Sequence, residues 1–140
     1  MLNLSLAFDT LKTQNNLVIA SRLAHWNVRG PNFYESHLLF GRIYDSAGEK
    51  TDTLVEVLRP MGYSPTFEEF AGPGGNLGSF LAPELVSMLM EYCAAYYTAL
   101  VKLREASKND DMLIGLVNLL EQLCEDANGI MFLLAAAQGG

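Results

Sequence analysis

The sequence is poor in cysteine, histidine, tryptophan and basic side chains. Cys93 and Cys124 are its two thiols in 140 residues. Two thiols in a chain with this much apolar material do not make a disulfide framework, and they fit a reducing compartment. Lysine and arginine together number nine against sixteen aspartates and glutamates, giving a net charge of −7. The nine are Lys12, Arg22, Arg29, Arg42, Lys50, Arg59, Lys102, Arg104 and Lys108, scattered without a run. The first eleven residues carry none, and the chain closes Ala135-Ala136-Ala137-Gln138-Gly139-Gly140, also without one. Such a surface repels nucleic acid and anionic membranes and suits cations. No run of eighteen apolar residues exists, so no transmembrane span is expected. No charged-apolar-cleavage pattern opens the chain, and a cytoplasmic location is the expectation.

What is present is half apolar and 18% charged, enough for one packed core and too apolar for a disordered chain. The length suits one domain, residues 1–140. Four helical stretches are expected. The first runs from about Leu4 to Arg29, with Leu4, Phe8, Leu11, Val18 and Leu23 at partial helical spacing, and ends at Gly30-Pro31. The second starts at Asn32, where Glu35 three residues on predicts a capping box. Phe33, His37, Phe40, Tyr44, Ala47, Leu54 and Leu58 follow, and Pro60 stops it. The third begins near Pro83, with Leu85, Met88/Leu89, Tyr92, Tyr96, Leu100 and Leu103. The fourth begins near Asn109-Asp110, where the acids complement the helix start, and has the cleanest spacing: Leu113, Leu116/Val117, Leu120, Leu123/Cys124, Ala127, Met131 and Leu134. Cys93 and Cys124 are expected to be core thiols.

Between the second and third stretches lie about twenty residues, 61–81, with Pro65, Pro73 and five glycines; Thr66–Phe70 could form one short helix. So long a connection in a small chain needs a reason, and a crossover between two helices running the same way supplies it. Tight turns join the other pairs. Helix, turn, helix, crossover, helix, turn, helix is the ferritin-like four-helix bundle, all-α, with helices of about 38 Å at 1.5 Å per residue.

The candidate chemistry sits on the first two helices. His25 and His37 bracket the Gly30-Pro31 turn, which can bring them together at one end of the bundle. Asp52 and Glu56 are four apart, on one face of the second helix, where they can grip one cation or simply face solvent beside Lys50 and Arg59. His37 and Asp52 are fifteen residues apart, about 22 Å along the axis, and cannot share an ion within one chain. They can share one if a second subunit packs antiparallel along the second helix, since a two-fold contact sets the imidazole pair of each chain beside the acidic pair of the other. The axis would pass near Tyr44-Asp45, with Gly41 and Gly48 facing each other across it and allowing close backbone approach. No Glu-x-x-His motif occurs, so the carboxylate–histidine cage of in-bundle di-iron sites is not supported.

His25-Trp26-Asn27-Val28-Arg29-Gly30-Pro31-Asn32-Phe33, then His37, Asp52-x-x-x-Glu56 and Gly62-Tyr63-Ser64-Pro65 resemble the Dps family of miniferritins. The resemblance is dense over about residues 22–65, and only pattern and length agree beyond. It implies a hollow homododecamer of four-helix bundles that oxidises Fe(II), preferably with hydrogen peroxide, and stores the ferric product, protecting against oxidative stress. It implies ferroxidase sites at the two-fold interface, with His25, His37, Asp52 and Glu56 as the matching iron ligands; imidazole and carboxylate suit iron.

Two departures change what the resemblance implies. The family has an aspartate four residues after its second histidine, where this chain has Gly41, a poor mid-helix residue without a ligand. Asp45 lies a further turn along and Glu35 is assigned to capping. The loss implies weaker binding, one metal instead of two, or a changed preference, and raises the alternative of a cage that buffers metal without fast oxidation. Many family members also bind DNA through a basic tail, which is lacking here. Twelve chains at −7 each would carry about −84, so DNA binding is not expected. Asp110-Asp111 could line an iron-entry pore. Glu121, Glu125 and Asp126 are expected on a solvated face, Trp26 packed beside the site, and Tyr92, Tyr96 and Tyr97 in the interior or an interface.

Overall fold

The computed structural model describes residues 1–139; Gly140, the last residue of the non-basic end, lies outside them. Its four long helices are α1 (Leu4–Asn27), α2 (Phe33–Leu58), α3 (Ala82–Ser107) and α4 (Ile114–Gly139). Short 3-10 turns occupy Arg59–Met61, Glu68–Phe70 and Asp111–Leu113. No strand occurs among the described residues. The turn at Glu68–Phe70 is the short helix expected in the crossover.

Asn3 caps α1 by accepting from the Leu6 N–H at 2.9 Å. Pro60 ends α2, and Gly62, at φ +98°, turns the chain out of it. Pro83 sits in the first turn of α3, where its missing N–H costs nothing, and Glu84 reaches back to the Leu81 N–H. The capping box at Asn32 does not form. Asn32 is left-handed at φ +63° and its side chain makes no cap bond, because the tight turn after Gly30 fixes its backbone. Asp110 does serve the start of the fourth helix. Its carboxylate accepts from the Met112 N–H and pairs with the Met1 ammonium, whose hydrogen bond holds the Asp110 carboxyl below its ordinary range.

Thr10 bonds the Ala99 carbonyl and Gln14 bonds Tyr96, so α1 and α3 run antiparallel. A Cβ on Gly48 would meet Val18 and one on Gly41 would meet His25, so α2 also opposes α1. Hence α2 and α3 run the same way, and the crossover climbs back along α1: Lys12 holds the Glu68 carbonyl, Gly72 lies by Ile19, and Gly78 by Asn27. This is the ferritin-like four-helix bundle.

The core is built on leucine. Leu11 and Leu17, Phe40, Leu54 and Leu58, Leu85, Leu89, Leu100 and Leu103, and Leu116 and Leu120 are fully buried. Each stabilises by about 1.5–3 kcal/mol on the transfer scale. The α4 stripe lies inside largely as its spacing predicts, with Ile130 buried and Met131 and Cys124 only half-buried. The α1 stripe is different. Leu4 is exposed, and Phe8, Val18 and Leu23 are half-buried. The inward stripe is Ala7, Leu11, Gln14, Leu17, Ser21, Ala24 and Val28, at true helical spacing but interrupted by polar members. Those members are bonded: Ser21 to the Leu17 carbonyl, and Gln14 Nε2 to the Tyr96 hydroxyl at 3.0 Å. Tyr96→Phe strands the Gln14 amide and should lower stability by about 1–2 kcal/mol in urea unfolding. No loss would mean that the amide finds another acceptor. Of the other α3 aromatics, Tyr92 is half-buried and Tyr97 exposed.

Candidate metal centre

The turn between α1 and α2 is five residues, 28–32. Gly30, at φ +93°, makes the reversal sharp enough to set the last turn of α1 on the first turns of α2. His25 and His37 therefore meet. Their rings stack at 3.7 Å between centroids and 16° between planes. Each Nδ1 lies against the other residue's main-chain carbonyl, His25 on His37 O at 2.6 Å and His37 on His25 O at 2.8 Å. A carbonyl only accepts, so both Nδ1 atoms carry the proton and donate. In the neutral ring the lone pair then belongs to Nε2, and a backbone-held Nδ1–H is the usual support of a metal-binding imidazole.

The stack limits what the pair can hold. Each lone pair lies in its own ring plane. Planes 16° apart at this separation do not converge within a metal–nitrogen bond of about 2 Å. As stacked, the two imidazoles cannot chelate one ion together.

The neighbours of the pair were not legible as such. Tyr44 meets His25 edge-on at 5.4 Å, the Arg22 guanidinium lies 5.1 Å from the Tyr44 ring centroid, and Phe33 stacks on His37 at 5.2 Å. The spacing 33, 37, 44 marks one side of α2, but the ordering of α1 against it comes from the turn. Trp26 is 65% exposed in the single chain, and Tyr34 and Leu38 are also exposed. Together with Phe33 they leave an apolar surface around the histidines.

Asp52 and Glu56 stand on the outer face of α2, both exposed. The structure does not bring them to the histidines within the chain. Neither carboxylate makes a hydrogen bond or an ion pair among the described residues. Lys50 turns instead to Asp126 at 3.8 Å, and Arg59 to the Tyr63 carbonyl and the Ser64 hydroxyl. No group of three or more histidine, cysteine, aspartate or glutamate side chains able to hold a metal occurs among the described residues. Glu121 pairs with Arg104 at 2.8 Å, and Glu125 is exposed.

Gly41 and Gly48 do not face outward as expected, so they offer no close backbone approach to a second copy of α2. They are seven apart, hence on one face of α2, and that face is turned to α1 against His25 and Val18. The acids Asp45, Glu49, Asp52 and Glu56 occupy the exposed side instead.

A ferritin-like bundle with an imidazole pair between α1 and α2 at one end and an acidic pair on the outer face of α2 defines the class. No family model matches the chain. A DNA protection during starvation protein of Brevibacillus brevis is 46% identical over 41 residues, 29% of this chain and 28% of that protein. The match thus spans little more than a quarter of that relative's length. Among solved structures, a Dps protein from Bacillus brevis superposes with a TM-score of 0.81 at 24% identity, over 94% of this chain and 91% of that one. The Dps protein of Vibrio cholerae O1, described as a member of a broad superfamily of ferritin-like diiron-carboxylate proteins, gives 0.83 at 19% identity over 94% and 86%. The fold of this chain is the Dps-like form of the four-helix bundle. No helix among the described residues is long and apolar enough to cross a membrane.

Proposed function

We propose that this chain, as one Dps-type domain over residues 1–140, is an iron-oxidising and iron-storing miniferritin. The observation that carries the reading is the His25–His37 pair, with both Nδ1 protons committed to main-chain carbonyls and both Nε2 lone pairs left for metal. His25 and His37 of one subunit bind Fe(II), and Asp52 and Glu56 of a two-fold mate complete the site. Three features support this. The two acids are unpaired within the chain, the rise of α2 forbids an intrachain site, and the apolar surface of Trp26, Phe33, Tyr34 and Leu38 is unpartnered. Two such sites form per dimer, and the assembly is a homododecameric cage in the cytoplasm. Hydrogen peroxide takes two electrons, one from each of two Fe(II) ions, and leaves as water with two protons consumed, so no hydroxyl radical escapes. The ferric product is stored inside, which protects against oxidative stress. The scattered basic residues and the net charge of −7 weigh against DNA as a partner.

A second reading keeps the cage and removes fast oxidation, leaving a metal-buffering shell. It is favoured by the absence of any ligand at position 41. Anaerobic Fe(II) loading followed by peroxide, read by ferric absorbance, separates the two. The first reading expects oxidation many-fold faster than iron in buffer. Oxidation no faster than buffer, with iron still bound, selects the shell.

A further inference from the structure

Position 41 lies one helical turn after His37, and an ideal Cβ built there would stand 2.9 Å from both Cε1 and Nδ1 of His25. Carbon–carbon contacts settle near 3.5–4.0 Å, so any side chain at 41 collides with the imidazole ring. Gly41 is buried in the middle of a 26-residue helix, where alanine is the better helix former. The ring of His25 occupies the notch that the missing Cβ leaves, and three contacts hold it there: the Nδ1–H bond to the His37 carbonyl, the stack on His37, and the edge of Tyr44.

We propose that Gly41 is a positioning residue for the metal centre, seating the His25 imidazole against α2 so that it stacks on His37 and keeps Nε2 free. The position is therefore more than a vacated ligand. An aspartate at 41 cannot simply add a carboxylate to the present geometry, because its Cβ meets the ring before its oxygens reach an ion. The role of the pair in metal binding rests on the proposed function; the seating of the ring does not.

Two variants of the full-length protein test this, Gly41→Ala and Gly41→Asp, with Co2+ alone as a redox-stable probe. Displacing a supported imidazole should weaken Co2+ binding about 10–100-fold in Gly41→Ala, and Gly41→Asp should not bind more tightly than wild type. A metal-free crystal structure of Gly41→Ala should show the His25 ring moved off His37. Unchanged affinity in Gly41→Ala, tighter binding in Gly41→Asp, or a ring still stacked with alanine present would each overturn the proposal. If the wild type takes no Co2+, the metal-binding reading fails, and the ring position alone decides the notch. Should Gly41→Ala fold poorly, the cycle with His25→Ala decides. Adding alanine at 41 should raise Tm when the ring has been removed and lower it when the ring is present. Equal changes in both backgrounds would show that the ring and the notch are unconnected.

Discussion

Subunits lacking His25 and His37, coassembled with subunits lacking Asp52 and Glu56, should regain about a quarter of the wild-type iron-oxidising sites, although neither parent has any. The expectation follows from the symmetry of the proposed site. An isologous contact places the imidazole pair of each chain beside the acidic pair of the other, twice per dimer. In a mixed dimer, one site inherits both lesions and is dead. The other takes intact histidines from one chain and intact acids from its mate. Random pairing makes about half of the dimers mixed, and half of the sites in those are whole. Each parent alone has only half-sites and should lose oxidation by two orders of magnitude or more. Peroxide-driven oxidation of Fe(II) on purified coexpressed protein, with the two chains carrying different tags, reads the outcome. No recovery in the mixture would remove the shared site, since an intrachain centre cannot be rebuilt by mixing. A His25→Ala, His37→Ala protein as fast as wild type would remove the imidazoles from the chemistry altogether.

The architecture was legible because punctuation and periodicity agree. Pro60, Pro83 and Gly30 stand where helices stop and start, and the α4 leucines repeat at three and four. The stripe of α1 was misjudged because Gln14 and Ser21 hold core positions through hydrogen bonds, which an apolar pattern does not register. Asn32 misled because its neighbours spell a cap while Gly30 imposes a left-handed turn. The site divides in the same way. The histidine pair could be anticipated, since a turn of a few residues leaves two flanking side chains little freedom to part. Gly41 could not. Its partner His25 lies sixteen residues away on another helix, and the contact depends on the register of α1 against α2. Sequence spacing describes one helix at a time, and this register is a property of two.

A second large effect is expected in the crossover, at a residue that gives no sign of itself in the sequence. Glu69 is a buried carboxylate that makes no salt bridge among the described residues. It accepts from the Tyr63 hydroxyl at 2.6 Å, from the Thr66 N–H at 2.8 Å and from the Thr66 hydroxyl. The exit from α2 is thereby tied to the turn that rests on α1. Burial pushes the Glu69 carboxyl up, but the bonds from Thr66 and Tyr63 outweigh it and hold the group below its ordinary value of 4.5. Burial and the same carboxylate push the Tyr63 hydroxyl well up, so it stays protonated and donates. Glu69→Ala removes the common acceptor and strands Tyr63 and the Thr66 N–H, at a cost of about 3 kcal/mol near neutral pH. The sign of the pH dependence follows from the depressed value. The stabilisation is complete above the unfolded value of 4.5 and disappears as pH falls from there through the folded one. Wild type and Glu69→Ala should thus differ most at pH 6–7, and the gap should narrow as pH falls below 4.5. Urea unfolding across that range measures the gap, and limited proteolysis within residues 61–81 locates it, with faster cutting of the variant only above the transition. A gap that stays the same at every pH down to acid unfolding would mean that side-chain volume, and not the ionised carboxylate, holds the crossover.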